Sequence, residues 1–179
     1  MKIASFALAA GLIALPALAQ ETVASDPAAP ASASAALKDA KGADAGTASL
    51  SDAGRGVLVK LNLKGLAPGW HAVHFHEKGD CSDPKFTSAG GHVHSAEPVV
   101  HGLLNAKAND AGDLPNIHVP EGGVVQAEVF STWVGLTAGQ RLNLKDADGS
   151  AIVVHAKPDD HQSQPIGGAG DRVACGVIK

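Results

Sequence analysis

Trp70-His71-Ala72-Val73-His74-Phe75-His76 reads as an extended strand in which apolar residues alternate with histidines. Alternate side chains of a strand share a face, so His74 and His76 point the same way, roughly 7 Å apart. Val73 and Phe75 point the opposite way, together with His71, which reads as a structural histidine near the core. Two imidazoles at that separation can both reach one metal ion placed between them. His92, in Gly90-Gly91-His92, and His155, in Ala151-Ile152-Val153-Val154-His155-Ala156, arrive from distant segments and would complete an all-nitrogen shell. Four histidines and little thiolate suit copper among the redox metals. Such an ion points to electron-transfer chemistry on a small molecule.

The chain around this strand also reads as β. Ala48 to Ser51, Gly56 to Leu63, Val124 to Val129, Arg141 to Leu144 and Ala151 to Ala156 are short, alternating and rich in branched residues. Gly, Pro, Asn and Asp punctuate them, as in a sandwich or barrel. The Gly-, Pro- and His-rich stretch from Lys78 to Pro120 cannot be all strand, and a loop this long in a compact domain is usually functional. Within it His92, His101, Asp110 and Asp113 form a second constellation, whose imidazoles and carboxylates suit a zinc site; surface histidines in a polar loop are the other reading of this stretch alone.

A chain of 179 residues makes one domain with room for a tail. Aromatic content is only 3% and Tyr is absent, so Val, Ile, Leu and Ala must build the core. The formal net charge is -4 without a long run of one sign, which argues against nucleic acid as a partner. Met1-Lys2-Ile3, the apolar run Ala4 to Leu15 and Ala17-Leu18-Ala19 read as a signal peptide spanning residues 1–19. The run is too short for a membrane span, and no Cys follows to carry a lipid anchor. Residues 20–34, rich in Ala, Ser and Pro, read as a flexible leader, with folded sequence over residues 35–179. In an exported protein the two cysteines, Cys81 and Cys175, read as a disulfide.

These stretches resemble the bacterial periplasmic copper/zinc superoxide dismutase family. Ala36-Leu37-Lys38-Asp39-Ala40-Lys41-Gly42 opens the match, and Trp70 to His76 continues through Glu77-Lys78-Gly79-Asp80-Cys81. Ser88-Ala89-Gly90-Gly91-His92, His101-Gly102-Leu103-Leu104-Asn105 and Gly112-Asp113-Leu114-Pro115-Asn116 carry it through the long loop. Val153-Val154-His155-Ala156 and Gly167-Gly168-Ala169-Gly170-Asp171-Arg172-Val173-Ala174-Cys175-Gly176-Val177 complete it. The resemblance implies an all-β Greek-key, immunoglobulin-like sandwich or flattened eight-stranded barrel, with long metal-binding and electrostatic loops. It implies copper on His74, His76, His92 and His155, and zinc on His92, His101 and Asp113. Asp159 would link copper-side and zinc-side histidines through their outer nitrogens, and Arg172 would guide the substrate anion to copper. Cys81 and Cys175 match the family disulfide.

The implied activity converts two superoxide anions to dioxygen and hydrogen peroxide as copper cycles between Cu(II) and Cu(I), with His92 passing a proton. The implied setting is the periplasm, without a membrane anchor, as monomer or homodimer. A non-enzymatic periplasmic copper-binding protein on the same fold is the alternative, since folds host unrelated functions; Arg172 speaks against it. One departure concerns zinc. Where the family has a third zinc histidine this chain has Asp110, so either Asp110 ligates through oxygen, or His94 substitutes, or the zinc half goes unused. Trp133 reads as core or interface, and His118 and His161 as surface histidines.

Overall fold

The computed structural model describes residues 29–139 and 141–179. The expected signal peptide, and the expected leader as far as residue 28, lie outside them. Eleven strands and one short 3-10 turn (Thr87–Ala89) form the regular structure of the described residues. The first six strands are β1 (Ser32–Asp39), β2 (Asp44–Asp52), β3 (Val57–Leu63), β4 (Gly69–His71), β5 (Val73–His76) and β6 (Ile117–Val119). Then come β7 (Val125–Ser131), β8 (Val134–Gly135), β9 (Leu142–Asn143), β10 (Ala151–His155) and β11 (Arg172–Val177).

Seven strands build one antiparallel sheet in the order β5-β10-β11-β1-β2-β3-β7. β4 runs into β5 with only Ala72 between them and pairs with β6, Trp70 opposite His118. The sheet thus curls into a half-barrel, and β6 is its eighth strand if β4 and β5 count as one. The sequence explains the curl's inner lining. In β3, Val57, Val59, Leu61 and Leu63 are buried while Lys60 and Asn62 between them face solvent. Ala48 and Leu50 of β2, Val73 and Phe75 of β5, and Ile152 and Val154 of β10 join the same cluster. Each fully buried Val, Leu, Ile or Phe contributes about 1.5–3 kcal/mol relative to exposure.

β10 is buried at all five positions, which marks a strand covered on both faces. Ile152 and Val154 face the main core. Ala151 and Val153 face a smaller cluster with Phe86, Ala89 and Cys175, so the long loop lies over the sheet there. His155 takes the outer parity and ends beneath that cover.

Three details differ from the sequence expectation. β1 starts at Ser32, inside the expected leader, because Ser32, Ala33 and Ser34 pair with Ser51, Leu50 and Ser49. Ser34 and Lys179 also exchange both backbone hydrogen bonds at 2.9 Å. A ladder on both sides overrides the weak β propensity of Ser and Ala. The Trp70–His76 strand is broken at Ala72, whose N–H turns to the Lys157 carbonyl at 2.9 Å. The Arg141–Leu144 strand shrinks to Leu142–Asn143.

Candidate metal centre

Strand parity and register deliver the first three histidines. His74 and His76 lie on the face of β5 opposite Val73 and Phe75, and Val153 of β10 pairs with His74. His155, two residues beyond Val153, shares that face. The long loop then lays two short segments against β5, pairing His92 with His76 and Asp113 with His74. Phe75 fastens both: its N–H reaches Gly112 O at 2.9 Å and its carbonyl accepts Val93 N–H at 3.0 Å. Gly112 is required there, because a Cβ would sit 2.3 Å from the Phe75 carbonyl oxygen.

One nitrogen of each histidine is tied down and the other is left free. His74 Nε2 donates to Asp159 Oδ2 (2.9 Å), and His76 Nδ1 to the Gly90 carbonyl (3.0 Å). His92 Nδ1 lies 2.7 Å from Asp110 Oδ2, and His155 Nδ1 donates to the Gly170 carbonyl (3.2 Å). The remaining nitrogens, His74 Nδ1, His76 Nε2, His92 Nε2 and His155 Nε2, are buried without a hydrogen-bond partner. Ligand atoms of these four residues fall within 4.8 Å of one another. Buried polar atoms without partners are costly. Four converging lone pairs, each fixed by a proton on the opposite ring nitrogen, are what a copper ion requires.

A second cluster shares His92. Its Nδ1, with His101 Nδ1, Asp110 Oδ2 and Asp113 Oδ1, faces a common centre, again with ligand atoms within 4.8 Å. His101 Nδ1 lies 2.7 Å from Asp113 Oδ1 and 3.2 Å from Asp110 Oδ2. Asp159 joins the two clusters: Oδ2 accepts from His74 and Oδ1 accepts from His101 Nε2 at 3.0 Å.

The electrostatics divide accordingly. Burial, then the neighbouring His74, pushes the His155 pKa down to about 3. Burial holds His76 well below the usual histidine range, and burial also lowers His74 despite its bond to Asp159. These rings keep their lone pairs at neutral pH. On the other side burial also opposes charge, but the carboxylates outweigh it. Asp110 and Asp113 raise His92, and with Asp159 they raise His101 to about 11. The same contacts hold all three carboxyls below the usual aspartate range despite burial. A divalent cation replacing the two Nδ1 protons would leave the net charge of this half unchanged, so the donor set fits zinc.

Arg172 opens β11 directly across from His155. Its guanidinium donates to the Phe86 carbonyl and, at 2.7 Å, to the Gly90 carbonyl that also accepts from His76. The Cys81–Cys175 disulfide, with Cα atoms 5.8 Å apart, ties that loop to β11. Arg172 also lines an open groove of about 850 Å³ with Lys41, Lys64 and Lys85 and three aspartates, which it leaves net positive.

Other histidines stay outside the clusters. Both ring nitrogens of His71 are taken by the carbonyls of His155 (2.6 Å) and Ala67 (2.8 Å). His94 turns away, its Nδ1 to the His92 carbonyl (2.8 Å) and its Nε2 to Glu97 (3.1 Å), and does not replace Asp110. His118 is exposed against Trp70. His161 is half-buried beside Asp159 and Asn116, not a surface residue, because Asp159 Oδ1 captures its backbone N–H at 2.6 Å. Trp133 is 44% exposed and so is no core residue.

A family model described as copper/zinc superoxide dismutase (SODC) matches residues 44–178. The Cu-Zn superoxide dismutase of Caulobacter vibrioides is 63% identical over 149 residues, covering 83% of this chain and 86% of that protein. Among solved structures, a SOD-like protein from Bacillus subtilis superposes with a TM-score of 0.75 at 34% identity, covering 82% of this chain and 97% of that one. The Cu/Zn superoxide dismutase from Brucella abortus gives 0.67 at 28% identity, covering 83% of this chain and 100% of that one.

Proposed function

This chain belongs to the copper/zinc superoxide dismutase family, and from that premise we propose that His74, His76, His92 and His155 hold copper and that His92, His101, Asp110 and Asp113 hold zinc. The protein is a superoxide dismutase, an oxidoreductase in which two superoxide anions and two protons become dioxygen and hydrogen peroxide. Copper bound at the first cluster supplies reversible one-electron transfer, and zinc at the second is a redox-silent cation.

The protein's own residues supply the rest. Arg172 is held by two carbonyls, which leaves other guanidinium N–H groups to attract and orient a small anion. Buried rings of low proton affinity at His74, His76 and His155 stay neutral as ligands. His92 is the proton carrier: its Nδ1 faces the carboxylates, and its Nε2 can take up a proton and give it back. Asp159 fixes the rings of His74 and His101 from behind.

The observation that carries this reading is the convergence of four unpartnered imidazole nitrogens next to an anchored arginine. Counting copper and zinc per purified chain, and measuring dismutation by pulse radiolysis, tests it. One of each metal with rapid dismutation is expected; copper-loaded protein without dismutation would overturn it in favour of a copper store. We place the protein in the periplasm, from the disulfide and the signal-like sequence of residues 1–19. Among the described residues no helix is long and apolar enough to cross a membrane.

A further inference from the structure

The two loops that complete the zinc half grip each other through side-chain amides. Asn116, three residues beyond Asp113, donates Nδ2 to the Asp159 carbonyl (2.8 Å) and accepts the Asp159 N–H at Oδ1 (2.9 Å). Gln164, five residues beyond Asp159, does the same in return. It donates Nε2 to the His101 carbonyl (2.8 Å) and accepts the His101 N–H at Oε1 (2.9 Å). Each amide satisfies both backbone groups of a single residue on the opposite loop. Among side chains only Asn and Gln carry a neutral donor and acceptor side by side, so neither a carboxylate nor an alkyl group can reproduce the grip.

The gripped residues are the ones that matter. Asp159 supplies the carboxylate joining His74 to His101, and His101 reaches into the second cluster. The surroundings leave little slack. The Leu104 N–H donates to the His161 carbonyl at 3.1 Å. A Cβ added at Gly102 would lie 2.3 Å from that same carbonyl oxygen, and one at Gly167 would overlap Asp159 Oδ1.

We propose that Asn116 and Gln164 are positioning residues that couple occupancy of the zinc half to ordering of residues 156–171, the arm that carries Asp159 and leads into Arg172. The proposal rests on the assignment of His92, His101, Asp110 and Asp113 as zinc ligands. Zinc fixes His101, and His101 holds the arm through Gln164 and through the Asp159 carboxylate. Asn116 holds the same arm from the other side of Asp113. Coupling of this kind is reciprocal, so an arm that zinc orders must tighten zinc in return.

The test uses the full chain loaded with copper and zinc. Zinc release to a chromogenic chelator and amide hydrogen exchange over residues 156–171, with and without zinc, are compared for wild type, Asn116→Ala, Gln164→Glu, Gln164→Ala and the Asn116→Ala, Gln164→Ala pair. Zinc should leave Asn116→Ala about tenfold faster, the lower end of what losing such outer contacts costs a metal site. The pair should release it faster still, with copper retained. Zinc should protect the arm in wild type and not in the pair. Gln164→Glu keeps an acceptor for the His101 N–H and should fall between wild type and Gln164→Ala. Gln164 is exposed, so its variants keep the fold even if those of Asn116 do not. Zinc release and arm protection unchanged in both Gln164→Ala and the pair would overturn the coupling. Failure of the wild type to take up zinc would instead overturn the ligand assignment, and the coupling with it.

Discussion

Removing the Cys81–Cys175 bridge should lower both the stability and the activity of this protein, by separable amounts. The bridge spans 94 positions. In the chain-entropy model a loop of that size loses about 4.7 kcal/mol of unfolded-state freedom at 25 °C. Strain and residual structure lower measured values, so a loss of about 2–5 kcal/mol is expected. For a domain of this size that corresponds to a melting temperature lower by roughly 5–20 °C. The substitutions must respect the site. Cys175 is 1% exposed in a small apolar cluster, so Ala suits it, whereas a serine hydroxyl there would add a desolvation cost of about 1–3 kcal/mol. Cys81 is half-buried and accepts Ser.

The effect on activity follows from what the bridge holds. Phe86 and Gly90, whose carbonyls anchor Arg172, belong to the loop that Cys81 staples to β11. With the staple cut, the guanidinium loses a fixed partner, and kcat/KM should fall at temperatures where the variant is still folded. Differential scanning calorimetry and pulse radiolysis on metal-loaded Cys81→Ser, Cys175→Ala read the two effects. A variant that melts like wild type, or native protein with two free thiols by mass spectrometry, would refute the reasoning.

The other expectations are simpler. His76→Ala removes one of the four converging nitrogens and should abolish dismutation; near-normal activity in the copper-loaded variant would sink the ligand set. Arg172→Glu reverses a charge beside His155, so kcat/KM should drop sharply and its ionic-strength dependence should change sense, whereas Arg172→Lys should be milder. An unchanged rate in the Glu variant would favour a copper store. Asp110→His should tighten zinc and raise thermal stability, as metal analysis and calorimetry would show; no gain in either means that Asp110 does not face the ion. For metal-free protein, His155 is held at about 3 in the fold against an ordinary value of 6.5. The unfolded chain therefore binds more protons between those values, and stability should fall as pH drops from 6.5 toward 3. His101, raised to about 11, stabilises fully below 6.5, and that stabilisation is lost as pH rises toward 11. Denaturant midpoints that stay flat across both windows would contradict these environments.

Much of this architecture is legible in the sequence wherever side-chain period controls it. Val73-His74-Phe75-His76 assigns its own faces, and the structure keeps them: Val73 and Phe75 join the main core while the histidines face the clusters. The strands that escape the pattern are held by their partners. Ser32-Ala33-Ser34-Ala35-Ala36 has no branched residue, and β11 contains Ala174-Cys175-Gly176; both are strands because neighbours pair with them. Tautomers were likewise invisible, since they depend on backbone carbonyls such as those of Gly90 and Gly170 arriving at ring nitrogens from far along the chain. Gln164 gave no signal and Asn116 appeared only as the end of a matched stretch, because an amide in a polar loop looks the same whether it faces water or grips a backbone. Only the sequence neighbourhood of Asp113 and Asp159 could have drawn attention to them.

On the proposed metal assignment, Asp110 would carry a change on the zinc side over to the copper side. The resembling family has a neutral imidazole at this position; here a carboxylate lies 2.7 Å from His92 Nδ1. A negative charge at one ring nitrogen raises the proton affinity of the whole imidazole. Burial opposes that rise, yet the contacts with Asp110 and Asp113 win and lift His92 above its usual value. Its free nitrogen, Nε2, points into the cluster with His74, His76 and His155, three rings that burial keeps neutral. Of the four rings in that cluster, the one best able to take a proton in the metal-free protein is therefore His92, which both clusters share. Asp110 and Asp113 reinforce that bias from one side, and Asp159 holds His101 and His74 in place behind it. On the proposed assignment, the carboxylate that replaces a zinc-side imidazole would thus also raise the proton affinity of the ring proposed to carry the proton.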